Sequence, residues 1–182
     1  GEAASVAEIQ GATLLLAEAG LVGMLVTVNV AWFAAFSALE LWAVVYLLRR
    51  WASSPAEIHA LARFVQYQAF GWALFAAGCI VLGWGHAEAT GGIWSFDLFD
   101  LQGAIPVGKF QTAAFYLLFY GLAVRTPLFP LHGWLPNMAQ HGLIAVAPAL
   151  MVGAKVGIYG MLRFVLPLTP AAVEYWQPYV VG

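Results

Sequence analysis

The chain has 182 residues, 63% hydrophobic and 9% charged, with a mean hydropathy of +0.83 and a formal net charge of −2. Soluble domains carry about a quarter charged residues. So few charges cannot cover a water-exposed surface, and the composition predicts an integral membrane protein, which the apolar helical segments below make all-α. The seven Lys and Arg are scattered along the sequence, which leaves no basic patch for nucleic acid. Cys79 lies alone in an apolar run and reads as a small buried hydrophobe rather than a redox or metal group. The sequence starts at Gly, and Gly1–Ala7 lacks the basic stretch of a signal peptide. It reads as a piece of a longer chain.

Residues 10–48 are nearly all apolar. As one helix they would reach roughly 58 Å, about twice the hydrocarbon thickness. The pattern instead predicts two helices, over 10–28 and 30–49, joined by a tight turn near Thr27–Asn29. Arg49 and Arg50 close the second. Ser54-Pro55-Ala56-Glu57 then gives an N-cap, a proline at the first position and a capping-box glutamate. This opens a third helix, predicted over 55–84. An external loop over 85–107 is polar and Gly-rich, and its alternation Ile93-Trp-Ser-Phe-Asp-Leu predicts a short strand or hairpin at the membrane surface.

A fourth segment, predicted over 109–140, meets Pro127 and Pro130. Each proline removes a backbone donor, freeing the carbonyls of Ala123 and Thr126, so the helix should break near 126–130. A fifth helix, over 142–165, is expected to end at Pro167 and Pro170. The whole is one transmembrane domain of five crossings. Arg49 and Arg50 place the second-to-third connection in the cytoplasm by the positive-inside rule, and the loop 85–107, without Lys or Arg, outside.

Four charges fall deep in this apolar layer: Glu18, Glu40, Arg125 and Lys155. Intramembrane charges are costly and concentrate where they face water or a partner, on ion pathways and proton relays. Glu40, Arg125 and Lys155 are therefore the candidate proton path; the alternative is structural interhelical pairing. Glu18 fits either role, and Arg63 reads as a snorkelling residue. Gly153, Gly157 and Gly160 make a small-residue stripe for close helix approach. Lys155 points to the opposite side of the helix, the side where Pro148 frees the carbonyl of Ile144. His132 and His141 bracket the second half of the broken segment and can relay protons near neutral pH; a neutral histidine bonding a freed carbonyl is the other reading. His59 and His86 read as solvated residues at helix ends. No histidine pair has metal-ligand spacing with a third ligand. The Trp and Tyr residues read as interfacial anchors or lipid-facing bulk.

Tyr120-Gly-Leu-Ala-Val-Arg-Thr-Pro-Leu-Phe-Pro-Leu-His-Gly-Trp-Leu-Pro136 resembles the broken helix of the antiporter-like, proton-translocating subunits of respiratory complex I. Lys155-Val-Gly-Ile-Tyr-Gly-Met-Leu-Arg-Phe164, followed by Leu166-Pro167-Leu168, resembles their next helix. Ala89-Thr-Gly-Gly-Ile-Trp-Ser-Phe96 and Leu14-Leu-Leu-Ala-Glu-Ala-Gly20 resemble an external loop and an earlier helix. The type is that of subunit M of NADH-quinone oxidoreductase and the D-type chloroplast subunits.

The resemblance covers nearly the whole chain. It implies about helices four to eight of a longer subunit, one inverted repeat holding one half-channel. It also implies that Glu40, Arg125 and Lys155 match the family's functional glutamate and two lysines, and that His132 matches the motif histidine. NAD, flavin, iron–sulfur clusters and quinone would lie in other subunits, with no cofactor in this chain. The implied partners are other membrane-arm subunits, the lipid bilayer and protons, in a bacterial inner membrane or an organelle inner or thylakoid membrane. Other readings are a subunit of a multi-subunit cation/proton antiporter, or a membrane subunit of a CO2-uptake or membrane-bound hydrogenase complex.

Three departures stand out, one of them that Glu40 lies one or two residues off the family's usual spacing to the flanking motifs. The first functional lysine is replaced by Arg125, which effectively never deprotonates. The family's Trp-Leu-Pro-Asp-Ala-His reads Trp-Leu-Pro-Asn-Met-Ala over 134–139, leaving His141 as the nearest replacement.

Overall fold

The computed structural model describes the backbone of residues 2–104, 108–141 and 147–181, with side chains over 8–104, 108–141 and 151–175. Nine α-helical segments carry it among these residues: α1 (Glu2–Val26), α2 (Val30–Trp51), α3 (Pro55–Ala89), α4 (Leu98–Leu101), α5 (Lys109–Arg125), α6 (Leu135–His141), α7 (Ala147–Gly160), α8 (Leu166–Leu168) and α9 (Pro170–Val181). A π-helical turn, Met161–Val165, joins α7 to α8. Among the described residues, four stretches are long and apolar enough to cross a membrane: Glu8–Val26, Val30–Trp51, Pro55–Ala89 and Met151–Leu168. α5, the turn after it and α6 form the discontinuous segment expected fourth in chain order.

The turn between α1 and α2 is closed by Asn29, whose side-chain carbonyl accepts the amides of Ala31 and Trp32. These are two of the donors a helix start leaves without partners. α3 opens on a reciprocal capping box: the Glu57 amide donates to Ser54 Oγ, and the Ser54 amide donates to Glu57 Oε2. α3 runs on to Ala89, five residues beyond the sequence expectation, with Thr90 as its cap and Gly91 and Gly92 at positive φ just after. Its 35 residues reach about 52 Å, so its ends project beyond the hydrocarbon.

The strand or hairpin expected near residue 95 is replaced by a single bridge between Asn29 and Asp97. The Val30 amide donates to the Phe96 carbonyl and the Leu98 amide to that of Val28. The alternating residues thus dock on the α1–α2 turn instead of pairing with each other. Asp97 then caps α4 through the Phe99 amide. Nor do Pro167 and Pro170 end the helical structure. Only Thr169 departs, with φ −131° and ψ 50°, and Pro170 starts α9 at a first-turn position where its missing N–H costs nothing.

α3 and α5 make the most extensive helix pairing, followed by α1 and α2. The first depends on glycine. A Cβ on Gly121 would lie 2.7 Å from the Phe75 amide nitrogen and 2.8 Å from the Gly71 carbonyl, so only a missing side chain permits this approach. Two apolar clusters result. One gathers Phe33, Phe75, Leu118, Leu122 and Phe164; the other gathers Ala43, Val44, Phe64, Trp134 and Met138. Along α2, Ser37 and Glu40 fall between Phe33 of the first cluster and Ala43 of the second. Along α3, Gln68 falls between Phe64 and Phe75. A polar layer therefore separates two greasy ones.

Candidate functional site: a buried ion pair between two small cavities

At the centre of this layer Arg125 Nη2 meets Glu40 Oε2 at 2.6 Å, with the two residues 9% and 5% exposed. Arg125 is the last residue of α5 because Pro127 and Pro130 forbid its continuation, and its guanidinium is held by two further groups, one on each of two other helices. Nη1 donates to Ser37 Oγ at 2.9 Å, one turn before Glu40 on α2, and Nε donates to the Gly153 carbonyl of α7 at 3.0 Å. A buried charge survives only when paired and hydrogen-bonded. The planar fork of arginine suits a site that presents a carboxylate, a hydroxyl and a carbonyl in different directions.

The broken end of α5 is satisfied locally. The Ala123 carbonyl, freed by Pro127, accepts the Leu128 amide at 3.0 Å. The Val124 carbonyl accepts the indole N–H of Trp134 at 3.0 Å, and the Leu122 carbonyl accepts both the amide and the hydroxyl of Thr126. Trp134 is 2% exposed. It is a packed element of the site rather than the interfacial anchor its residue type suggested. The Phe129–Pro130 peptide in this turn is cis.

Two cavities of about 20 Å³ flank the pair. One is lined by Glu40, Phe64, Gln68, Trp134 and Gly153 among others, the other by Ser37, Gln68, Gly71, Trp72 and Phe75 among others; Leu41, Gln68 and Arg125 line both. That size suits a single water each.

The structure thus brings together two of the five site residues expected from sequence. Lys155 is exposed, on the face of α7 away from the pair. The glycine stripe opposite it packs on α5: Gly157 lies against Thr126 and the Leu122 carbonyl, and Gly160 against the Leu122 side chain. The spare carbonyl expected at Ile144 lies outside the described residues. His132 and His141 are exposed, His132 with its ring against Phe129. Glu18, Arg63 and His59 are exposed as well.

His86 departs from the solvated position expected of it. It is 7% exposed at the end of α3, with Nδ1 2.8 Å from the Ile93 carbonyl, because the loop folds back over the helix end. Ser37 and Gln68 were missed. Ser37 stands three residues before Glu40, on the same helical face, and that spacing was the available signal. Among the described residues no group of three or more His, Cys, Asp or Glu could hold a metal ion.

The family model described as NADH:quinone oxidoreductase/Mrp antiporter, TM matches residues 20–181. NADH-quinone oxidoreductase subunit M of Mycobacterium tuberculosis is 30% identical over 163 residues, which are 86% of this chain and 29% of that protein. The subunit M of Escherichia coli strain K12 is 29% identical over 168 residues, 87% of this chain and 32% of that protein. NAD(P)H-quinone oxidoreductase chain 4 of Gloeobacter violaceus is 31% identical over 167 residues, 90% of this chain and 30% of that protein. Among solved structures, a chain of respiratory complex I from Thermus thermophilus with bound NADH superposes with a TM-score of 0.78 at 26% identity, covering 92% of this chain and 35% of that one. The chain spans about a third of the length of these relatives. With its helical membrane fold and this match over most of its length, the chain belongs to the NADH:quinone oxidoreductase/Mrp antiporter transmembrane family.

Proposed function

We propose that this chain carries one half-channel of a proton-translocating, membrane-arm subunit of a complex-I-like NADH (or ferredoxin):quinone oxidoreductase, in a bacterial inner membrane or an organelle counterpart. The observation that carries the reading is the Glu40–Arg125 pair, buried between two water-sized cavities where α2, α5 and α7 meet. An ion pair at this depth, tied to a hydroxyl and a helix carbonyl, is costly as a simple anchor. It suits a switch.

Because arginine keeps its charge, the switch acts through geometry. Glu40 close to Arg125 neutralises it; Glu40 withdrawn or protonated leaves a bare cation. Arg125 is bonded to the Gly153 carbonyl, two residues before Lys155 in α7. A change of field there favours loss of the Lys155 proton, since a neighbouring cation disfavours a second charge. Restoring the pair favours its return. His132 and His141, exposed beside α6, would exchange protons with the aqueous side. Redox cofactors would sit in partner subunits and supply the signal along the membrane arm.

The test is NADH-driven acidification of inverted vesicles holding the full complex, comparing wild type with Lys155→Ala at matched assembly. We expect acidification and coupled NADH oxidation to fall together. Unchanged acidification removes Lys155 from the path. Wild-type vesicles that ignore NADH but exchange sodium for protons point instead to a cation/proton antiporter.

A further inference from the structure

Gln68, near the middle of α3, is 7% exposed, and its amide, whose atoms are not fully enclosed by protein, has no hydrogen-bond partner among the described residues. Leaving a buried amide unmade is costly, so such groups in folded proteins bond ordered water when protein offers nothing. Gln68 lines both cavities beside the ion pair. The other polar side chains there are committed: Trp134 to the Val124 carbonyl, Trp72 to the Ala34 carbonyl, and Ser37, Glu40 and Arg125 to one another. Gln68 is the one lining side chain with its whole amide to spare.

We infer that Gln68 is a positioning residue that holds one water in each cavity and so links the two sides of Arg125 by hydrogen bonds. This deepens, and rests on, the proton-path reading above. A buried water needs two to four polar partners. The first cavity offers Glu40, Gln68 and Arg125, and the second offers Ser37, Gln68 and Arg125. The amide both donates and accepts, so it can orient one water by its N–H and the other by its carbonyl. When Glu40 leaves Arg125, these waters keep the guanidinium solvated, which lowers the cost of opening the pair. Gln68 needs no proton of its own for this role.

The experiment uses the assembled complex carrying Gln68→Met, similar in length but without the amide, beside Gln68→Asn and wild type. At matched assembly, Gln68→Met should slow NADH-driven proton translocation roughly threefold to tenfold, the worth of about one hydrogen bond. Gln68→Asn should recover most of the loss. A high-resolution map of the wild-type complex should show water in both cavities at hydrogen-bond distance from the Gln68 amide. Dry cavities in that map overturn the inference, even if Gln68→Met fails to assemble. So does full translocation in Gln68→Met, or an equal loss in both variants, which would mark Gln68 as packing only. The map reads the waters whether or not the complex pumps, so failure of the proton reading is seen separately, in the vesicle assay.

Discussion

Arg125 and Lys155 are both cations set among apolar helices, but their surroundings differ in kind. Arg125 is enclosed, and each edge of its guanidinium meets a designed partner: the Glu40 carboxylate, the Ser37 hydroxyl and the Gly153 carbonyl. Lys155 stands exposed on the other face of α7, with no hydrogen bond or ion pair among the described residues. The first arrangement is a joint between three helices. The second leaves a single titratable charge open to whatever lies against that face. Depth in an apolar sequence therefore does not give one kind of site: a permanent cation has been built into the core, and a titratable one has been left outside it.

Substitutions should separate the two cations by the size of their effect on stability. Arg125→Ala removes all three contacts and leaves Glu40 buried alone, a change that costs about 3–5 kcal/mol in folded proteins. Thermal unfolding of the purified complex should show it, and a shift under about 0.5 kcal/mol would mean that Arg125 is not the joint described. Arg125→Lys keeps the charge but cannot reach three directions from one planar group. The expected loss is about 1–3 kcal/mol, read in the same melt. An unperturbed lysine variant would make the charge alone sufficient. The smallest effect belongs to Lys155→Ala, within about 0.5 kcal/mol as for exposed substitutions generally. A large loss there would erase the contrast and put Lys155 in a structural role.

The two carboxylate- and cation-bearing positions of the joint were legible in the sequence because a charge in an apolar run is conspicuous. Glu40 and Arg125 could be singled out before their 2.6 Å contact was known. Their neighbours could not. Ser37 and Gln68 are unremarkable residue types in a membrane helix; the importance of Ser37 comes from Arg125, 88 positions away along the chain, and that of Gln68 from the cavities it lines with Arg125. Trp134 was misjudged for a related reason. Its residue type favours the interface, but the carbonyl left open by the break in α5 draws its indole inward. Local signals worked where the chemistry was local, as at the Ser54–Glu57 capping box. They failed at residues 93–98, where alternation promised strand pairing and the nearest free backbone belonged to the α1–α2 turn.

The π-helical turn at Met161–Val165 carries a consequence for the directions in which α7 and its continuation can face. Its closing bond runs from the Leu166 amide to the Met161 carbonyl, five residues back, so the turn holds one residue more than an α-helical one. Each residue of an α-helix turns the chain by about 100°, and a wide turn of this kind absorbs that residue without stopping the helix. The face on which Gly153, Gly157 and Gly160 meet α5 therefore need not dictate the face presented by Phe164, Val165 and Leu168, all of which are buried. Two stretches of one membrane helix are free to be oriented separately, the first by its glycines and the second by its large apolar side chains. The bearing of Lys155 is thereby set by the contacts of α7 before the turn, the glycines and the Arg125 bond to Gly153 among them, and substitutions beyond residue 165 can adjust the later packing without turning the lysine.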